Sequence, residues 1–81
     1  MRYPPRVKVG EHSLTARQVA VLVRRAQGQR AKTIAKELGI SAGTVDVHCH
    51  QARQALKLSK LVDAIKAVRD AGLVPNQDAA G

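Results

Sequence analysis

Apolar residues recur at helical spacing in four separate stretches of this 81-residue chain. In the first stretch they occupy Val19, Leu22, Val23 and Ala26, and three later stretches repeat a similar spacing. Residues three, four and seven positions apart lie on one face of an α-helix. The pattern therefore predicts four helices, over residues 15–27, 31–38, 42–57 and 59–71.

Polar residues that suit helix caps stand at the start of three of these helices. Thr15 precedes the first apolar stripe and Gln18 follows three residues later, which is the spacing of a capping box. Ser41 and Ser59 are expected to cap the third and fourth helices. Glycines, which often end helices, follow the first, second and fourth helices at Gly28, Gly39 and Gly72.

The second and third predicted helices have the spacing of a helix-turn-helix motif, with a turn of about four residues between them. Ala35 is small enough to let the two helices approach closely, Gly39 permits the sharp turn and Ile40 can anchor it to the core. In this motif the second helix enters the major groove of DNA, which is about 12 Å wide. Residues 42–57 are therefore the candidate recognition helix.

The candidate recognition helix has one face for the core and one for a partner. Its apolar stripe consists of Val45, Cys49, Ala52 and Leu56. The residues predicted to face away from the core are Gly43, Asp46, Val47, His50, Gln51 and Gln54.

The fold class predicted from these elements is all-α. A four-helix helix-turn-helix domain is expected over residues 13–72, between a flexible basic arm over 1–12 and a flexible tail over 73–81. Pro4 and Pro5 prevent the arm from forming a helix, and Val7 to Val9 could form a short extended segment.

The charge of the chain indicates an acidic partner. Lys and Arg number 14 and Asp and Glu six, which gives a net charge of +8. The excess lies before residue 61, because residues 61–81 contain two basic and three acidic residues. Tyr3 is the single aromatic residue, which disfavours a binder of single strands and favours duplex nucleic acid.

Several classes of protein are disfavoured by what the sequence lacks. The single Cys49 cannot form an internal disulfide, and no apolar run approaches the roughly 20 residues of a membrane span. His48 and His50 lie about 200° apart on a helix, so they cannot share a zinc ion with Cys49. No catalytic constellation is visible. We expect a cytoplasmic protein that is not an enzyme and has no metal, no cofactor and no membrane partner.

The stretch from Leu14 to Gly28, LTARQVAVLVRRAQG, resembles the opening of the LuxR/GerE-type helix-turn-helix domain. The resemblance extends over about residues 14–70 through Lys32, Ile34, Ala35, Leu38, Ile40, Ser41, Thr44, Val45, His48, Leu56 and Ala64. It implies a four-helix DNA-binding domain of a transcription regulator, often dimeric through the last helix. Residues 43–57 also resemble the fourth region of sigma factors, but the helix after Ser59 favours the LuxR-type domain.

The resemblance places Asp46, Val47 and His50 at the family's base-contacting positions. Val47 could contact a thymine methyl group, and His50 could donate to a guanine or adenine acceptor. Asp46 stands where the family usually has a basic residue. It could accept a hydrogen bond from cytosine N4, or it could only stabilise the positive N-terminus of its helix.

A larger set of residues consists of candidate contacts to the DNA backbone: Arg30, Lys32, Thr33, Thr44, His48, Gln51, Arg53 and Lys57. The alternative for each is an ordinary solvated basic surface. Arg2, Arg6 and Lys8 could form an arm that follows the DNA, and a solubilising tail is an equal alternative.

Two apolar residues of the fourth-helix region, Leu58 and Val62, could form a dimer face if Leu61, Ile65 and Val68 fill the core. The alternative is that all five cover the first helix.

The sequence thus predicts a sequence-specific, homodimeric regulator that binds double-stranded DNA. If the chain is complete, its regulation comes from its amount or from partners. A second hypothesis, which rests on Asp46, is a module that docks on RNA polymerase or a sigma factor without contacting bases.

Overall fold

The computed structural model describes residues 6–75. In chain order these residues form two strands and four helices: β1 (Arg6–Val9), β2 (His12–Thr15), α1 (Ala16–Ala26), α2 (Ala31–Leu38), α3 (Ala42–Ala55) and α4 (Leu61–Asp70). The four predicted helices are confirmed. The second has the predicted bounds, and the other three are shorter by one or two residues at one or both ends.

The flexible arm predicted over residues 1–12 is wrong for residues 6–12. β1 pairs antiparallel with β2, and Val7 lies opposite Leu14. The reason is an alternation that the helical pattern obscured: Val9 is buried, whereas Arg6 and Lys8 are exposed on the other face of the strand. Arg2 lies outside the described residues.

The start of α1 is confirmed and the start of α4 is not. Thr15 Oγ1 accepts a hydrogen bond from Gln18 N at 3.1 Å, and Gln18 Oε1 accepts one from Thr15 N at 3.0 Å, so the capping box is complete. The prediction that Ser59 caps the last helix is wrong. The link from α3 extends two residues further than the pattern indicated, so α4 begins at Leu61. The residue before it is Lys60, whose side chain makes no capping hydrogen bond.

The core consists of two neighbouring clusters that both include residues of α1. Val9, Leu14, Val19 and Leu22 meet the end of α3 and the inner face of α4 in the first cluster. In the second cluster Val21 meets the buried residues of α2 and α3, which are Ile34, Ala35, Val45 and Cys49. The four residues predicted on the inner face of α3 are all buried. Both clusters therefore fix α3, one at each end.

The inner face of α4 is formed by smaller residues than predicted. Ala64 and Val68 are fully buried, whereas Ile65 is partly exposed and belongs to neither cluster. Leu61 packs against both clusters. Arg69 fastens the helix to α1 by donating to the carbonyl of Ala26 at 3.1 Å.

Candidate nucleic-acid interface

The helix-turn-helix consists of α2, a tight turn and α3. Gly39 ends α2 in the left-handed conformation at φ 70°, and the amide of Ile40 donates to the carbonyl of Ala35 at 2.9 Å. Ser41 Oγ then accepts from the amide of Thr44 at 3.1 Å and caps α3. These bonds define the end of α2, the turn and the start of α3.

The three candidate base-contacting residues lie together on the outer face of α3. Asp46, Val47 and His50 are exposed, as expected for positions one, three and four residues apart on a helix that buries its opposite face. Val47 is 51% exposed, an unusual fraction for an apolar side chain in this small domain. Together they present a carboxylate acceptor, an apolar side chain and an imidazole within about one helical turn.

Arg53 lies one turn beyond His50 and is held by two partners. Its Nη1 donates to the carbonyl of Ser59 at 2.7 Å, and its Nη2 lies 3.0 Å from His50 Nδ1. Sequence reasoning placed Arg53 among the phosphate contacts and missed both bonds. The spacing of three residues between His50 and Arg53 was the available signal for the second.

Exposed basic residues surround the first turn of α2. Arg30 precedes the helix, and Lys32 and Thr33 are exposed in its first turn. A shallow depression of about 570 Å³ is lined by Lys32, Thr33, Ala35, Lys36 and Ile40. Lys36 was not predicted, although its spacing of four residues from Lys32 places it on the same side of the helix. This surface can accept an anion such as a phosphate.

The remaining candidate contacts to the DNA backbone, on α3 and just after its end, differ in exposure and in their hydrogen bonds within the protein. Gln51 and Lys57 are exposed, whereas Thr44 is half-buried, and its hydroxyl lies 2.8 Å from Ser41 Oγ. His48 is half-buried, and its Nδ1 is enclosed without a hydrogen-bond partner within the described part of the chain.

Lys57 has an unusual backbone conformation at the end of α3. It is the one non-glycine residue with a positive φ, 59°, among residues 6–75. The amides of Lys57 and Leu58 donate to the carbonyls of Gln54 and Arg53, at 3.0 and 2.9 Å, which is the pattern that glycine usually completes at a helix end. A charged side chain is thus placed where the backbone favours glycine.

The apolar pair predicted as a dimer face is divided between core and surface. Leu58 is half-buried and packs against the first cluster, whereas Val62 is 65% exposed. The partly exposed neighbour of Val62 is instead Ile65, three residues further along α4. The exposed apolar surface of α4 is therefore Val62 with Ile65.

Other polar features do not form a reactive centre. Arg24 and Glu37 form an ion pair of 3.1 Å between α1 and α2. Burial raises the pKa of the Cys49 thiol, which keeps it a neutral, weakly reactive core residue. Within residues 6–75 no three potential ligands are close enough to hold a metal ion, and none of the helices is long and apolar enough to cross a membrane.

Comparison with known families gives one match. Residues 12–68 match the model of the bacterial regulatory proteins of the luxR family, named GerE. Comparison with curated proteins and with solved structures gave no significant match. The family match covers the second strand, α1, the helix-turn-helix and most of α4. Every candidate DNA contact except Arg2, Arg6 and Lys8 therefore lies within it. The chain therefore belongs to the luxR family of bacterial regulatory proteins and contains its DNA-binding helix-turn-helix domain.

Proposed function

We propose that this protein regulates transcription by binding specific sequences of double-stranded DNA in the cytoplasm, with α3 in the major groove. The observation that carries the proposal is the division of α3 into two faces. Val45, Cys49 and Ala52 are buried, whereas the exposed side bears groups that can contact base edges. A helix fixed in this way presents the same side chains to every duplex it meets.

The base contacts are assigned by chemistry. Asp46 accepts a hydrogen bond from an exocyclic amino group such as cytosine N4, and Val47 packs against a thymine methyl group. An exposed carboxylate is also repelled by phosphates. Asp46 therefore contributes selectivity and does not add to general affinity.

The phosphate contacts come from the basic residues around the motif. Lys32 and Lys36 on α2, together with Arg30 before it, give general affinity that does not depend on sequence. Gln51 on α3 and Lys57 just after its end add contacts along the groove edge. Thr44, His48 and Arg53 add further contacts through donors that the protein itself does not use.

Val62 and Ile65 support a homodimer in which two α4 helices pack together. A dimer places its two recognition helices in successive major grooves, about 34–36 Å apart. The small core of a domain of this size adds a reason for pairing, because association buries further apolar surface.

A binding titration at several salt concentrations tests this function. The logarithm of the affinity for duplex DNA should fall linearly with the logarithm of the salt concentration, at about −0.9 per phosphate contact. Lys32→Ala should reduce the slope by about 0.9, whereas Lys66→Ala, which removes the same charge from an exposed position on α4, should not. An unmeasurable affinity at low salt would exclude the proposal.

Docking on RNA polymerase is a second candidate function, and the exposed acid on the outer face of α3 is the observation that favours it. An exposed carboxylate at the centre of this face repels phosphates, which disfavours a duplex as its partner. If Asp46→Ala abolishes binding to polymerase and wild-type protein selects no sequence from random duplexes, the docking function is the correct one.

A further inference from the structure

The bond between Arg53 and His50 determines which nitrogen of the histidine carries the hydrogen. A guanidinium group has only donors and no acceptor. The contact of 3.0 Å between Arg53 Nη2 and His50 Nδ1 therefore requires that Nδ1 accepts. In a neutral imidazole the remaining hydrogen then lies on Nε2, the ring nitrogen that Arg53 does not contact.

Arg53 is itself immobilised by its second bond. Its Nη1 donates to the carbonyl of Ser59 in the link between α3 and α4, at 2.7 Å. The guanidinium group is planar, so two bonded nitrogens define its orientation. Arg53 is half-buried, whereas His50 is exposed. The arginine is thus the fixed member of the pair and the histidine ring is oriented by it.

We propose that Arg53 is a positioning residue that holds His50 as a hydrogen-bond donor through Nε2, and so restricts the base that His50 contacts to one with a major-groove acceptor. Such acceptors are guanine N7 and O6, adenine N7 and thymine O4. Without Arg53 the other tautomer would present Nε2 as an acceptor, and cytosine N4 or adenine N6 would also fit. This inference rests on the proposed binding of α3 to bases.

Asp46 adds a hydrogen-bond acceptor next to the donor at His50. It lies one helical turn before His50 on the same exposed face, and as a carboxylate it can only accept. The outer face of α3 therefore carries an acceptor at one position and a donor at the other. The two positions demand opposite chemistry from the bases they meet.

The tautomer can be measured in the free protein, without DNA. Nitrogen-15 NMR of the histidine rings, at a pH where they are neutral, should show His50 with its hydrogen on Nε2. In Arg53→Met the His50 signals should shift towards a mixture of both tautomers, while those of His12 stay unchanged. Arg53→Lys keeps the charge without the planar pair of donors, and it provides a second variant if Arg53→Met unfolds.

Arg69→Met is the matched control. Arg69 also donates to a backbone carbonyl, that of Ala26 at 3.1 Å, but it lies on α4. This variant loses a comparable bond and the same charge, and it should leave the His50 tautomer unchanged. Wild-type protein with the hydrogen on Nδ1, or no response to Arg53→Met, would overturn the proposal.

Selection of bound sites from random duplexes tests the effect on specificity. Arg53→Met should lower the preference at the base pair facing His50 by about threefold to tenfold, which is the value of one hydrogen bond. Preferences at the positions facing Asp46 and Val47 should not change. The double variant with His50→Ala should lose no more than His50→Ala alone, because both substitutions remove one interaction.

The two measurements separate failure of this inference from failure of the proposed function. A protein that selects sequences but shows no tautomer dependence on Arg53 keeps its function and loses this role of Arg53. A protein with the expected tautomer that binds no duplex loses the proposed function and the specificity role with it.

Discussion

The third and fourth helices both expose one face, but the two faces suit different partners. The outer face of α3 is polar apart from Val47, and its helix is fixed by Ser41 at the start and by the Arg53–Ser59 bond after its end. The outer face of α4 contains Val62 and Ile65, and no side chain caps its start. Base contacts require fixed donors and acceptors, whereas packing against another apolar helix tolerates small adjustments. This difference is the reason for proposing that α3 contacts DNA and that α4 contacts protein.

The largest loss of stability is expected from truncating a core residue that packs against α3. Ile34 of α2 is fully buried against α1 and α3, and Ile34→Ala should lower the free energy of unfolding by about 2–5 kcal/mol. Ile65→Ala on α4 should cost far less, because Ile65 is partly exposed and outside both core clusters. Urea unfolding of the two variants measures the difference. Equal losses would show that Ile65 contributes to the core as much as Ile34 does.

The next largest loss of stability is expected from removing the side-chain cap of α3. Ser41 accepts from the amide of Thr44, so Ser41→Ala should lower the free energy of unfolding by about 1 kcal/mol. Ser59 precedes α4 by two residues and caps nothing, so Ser59→Ala should change it by less than about 0.5 kcal/mol. Thermal unfolding of both variants provides a matched pair. A cost at Ser59 as large as at Ser41 would contradict the assigned start of α4.

The comparison also explains what the sequence could predict. The start and the faces of α3 follow from local signals, since a cap residue, an apolar stripe and a glycine turn all point to the same element. Its end does not, because it lies two residues before the predicted one. The division of α4 into a buried and an exposed side does not follow from local signals. The sequence shows one continuous apolar side, formed by Leu61, Val62, Ile65 and Val68. Which of them is buried depends on where α1 and the hairpin pack, and the small Ala64 is fully buried there. The sequence indicated an extended segment at residues 7–9, but the second strand and its pairing were missed because four-residue strands give too short an alternation.

The candidate nucleic-acid interface shows the same limit of prediction from local sequence signals. Asp46, Val47 and His50 are placed outward by helical spacing alone. The pairing of Arg53 with Ser59 depends on the path of the chain after α3, which no periodicity specifies. The left-handed conformation of Lys57 was hidden for the same reason, since lysine gives no sign of a turn that glycine normally completes.

That conformation provides a test in which stability and binding change in opposite directions. Lys57→Gly should raise the free energy of unfolding by about 0.5–1 kcal/mol, because glycine adopts a positive φ without a clash. It should also weaken duplex DNA binding if Lys57 contacts a phosphate. Lys57→Asn, which also tolerates this conformation, removes the charge with less added freedom. Unfolding and binding measured on the same samples decide whether the strain is retained for the charge.

The smallest change in monomer stability is expected at the exposed surface of α4. Val62 is 65% exposed, so Val62→Lys should alter the free energy of unfolding of the monomer by less than about 0.5 kcal/mol. If two copies pair through this surface, the buried charge should instead move the protein towards monomer in analytical ultracentrifugation. Val47→Lys is the matched control, since Val47 is 51% exposed on α3 and should leave the oligomeric state unchanged. Dimers that persist in Val62→Lys, or that dissociate in Val47→Lys, would assign the dimer face to another surface. Either result would remove the distinction between a protein-facing α4 and a DNA-facing α3.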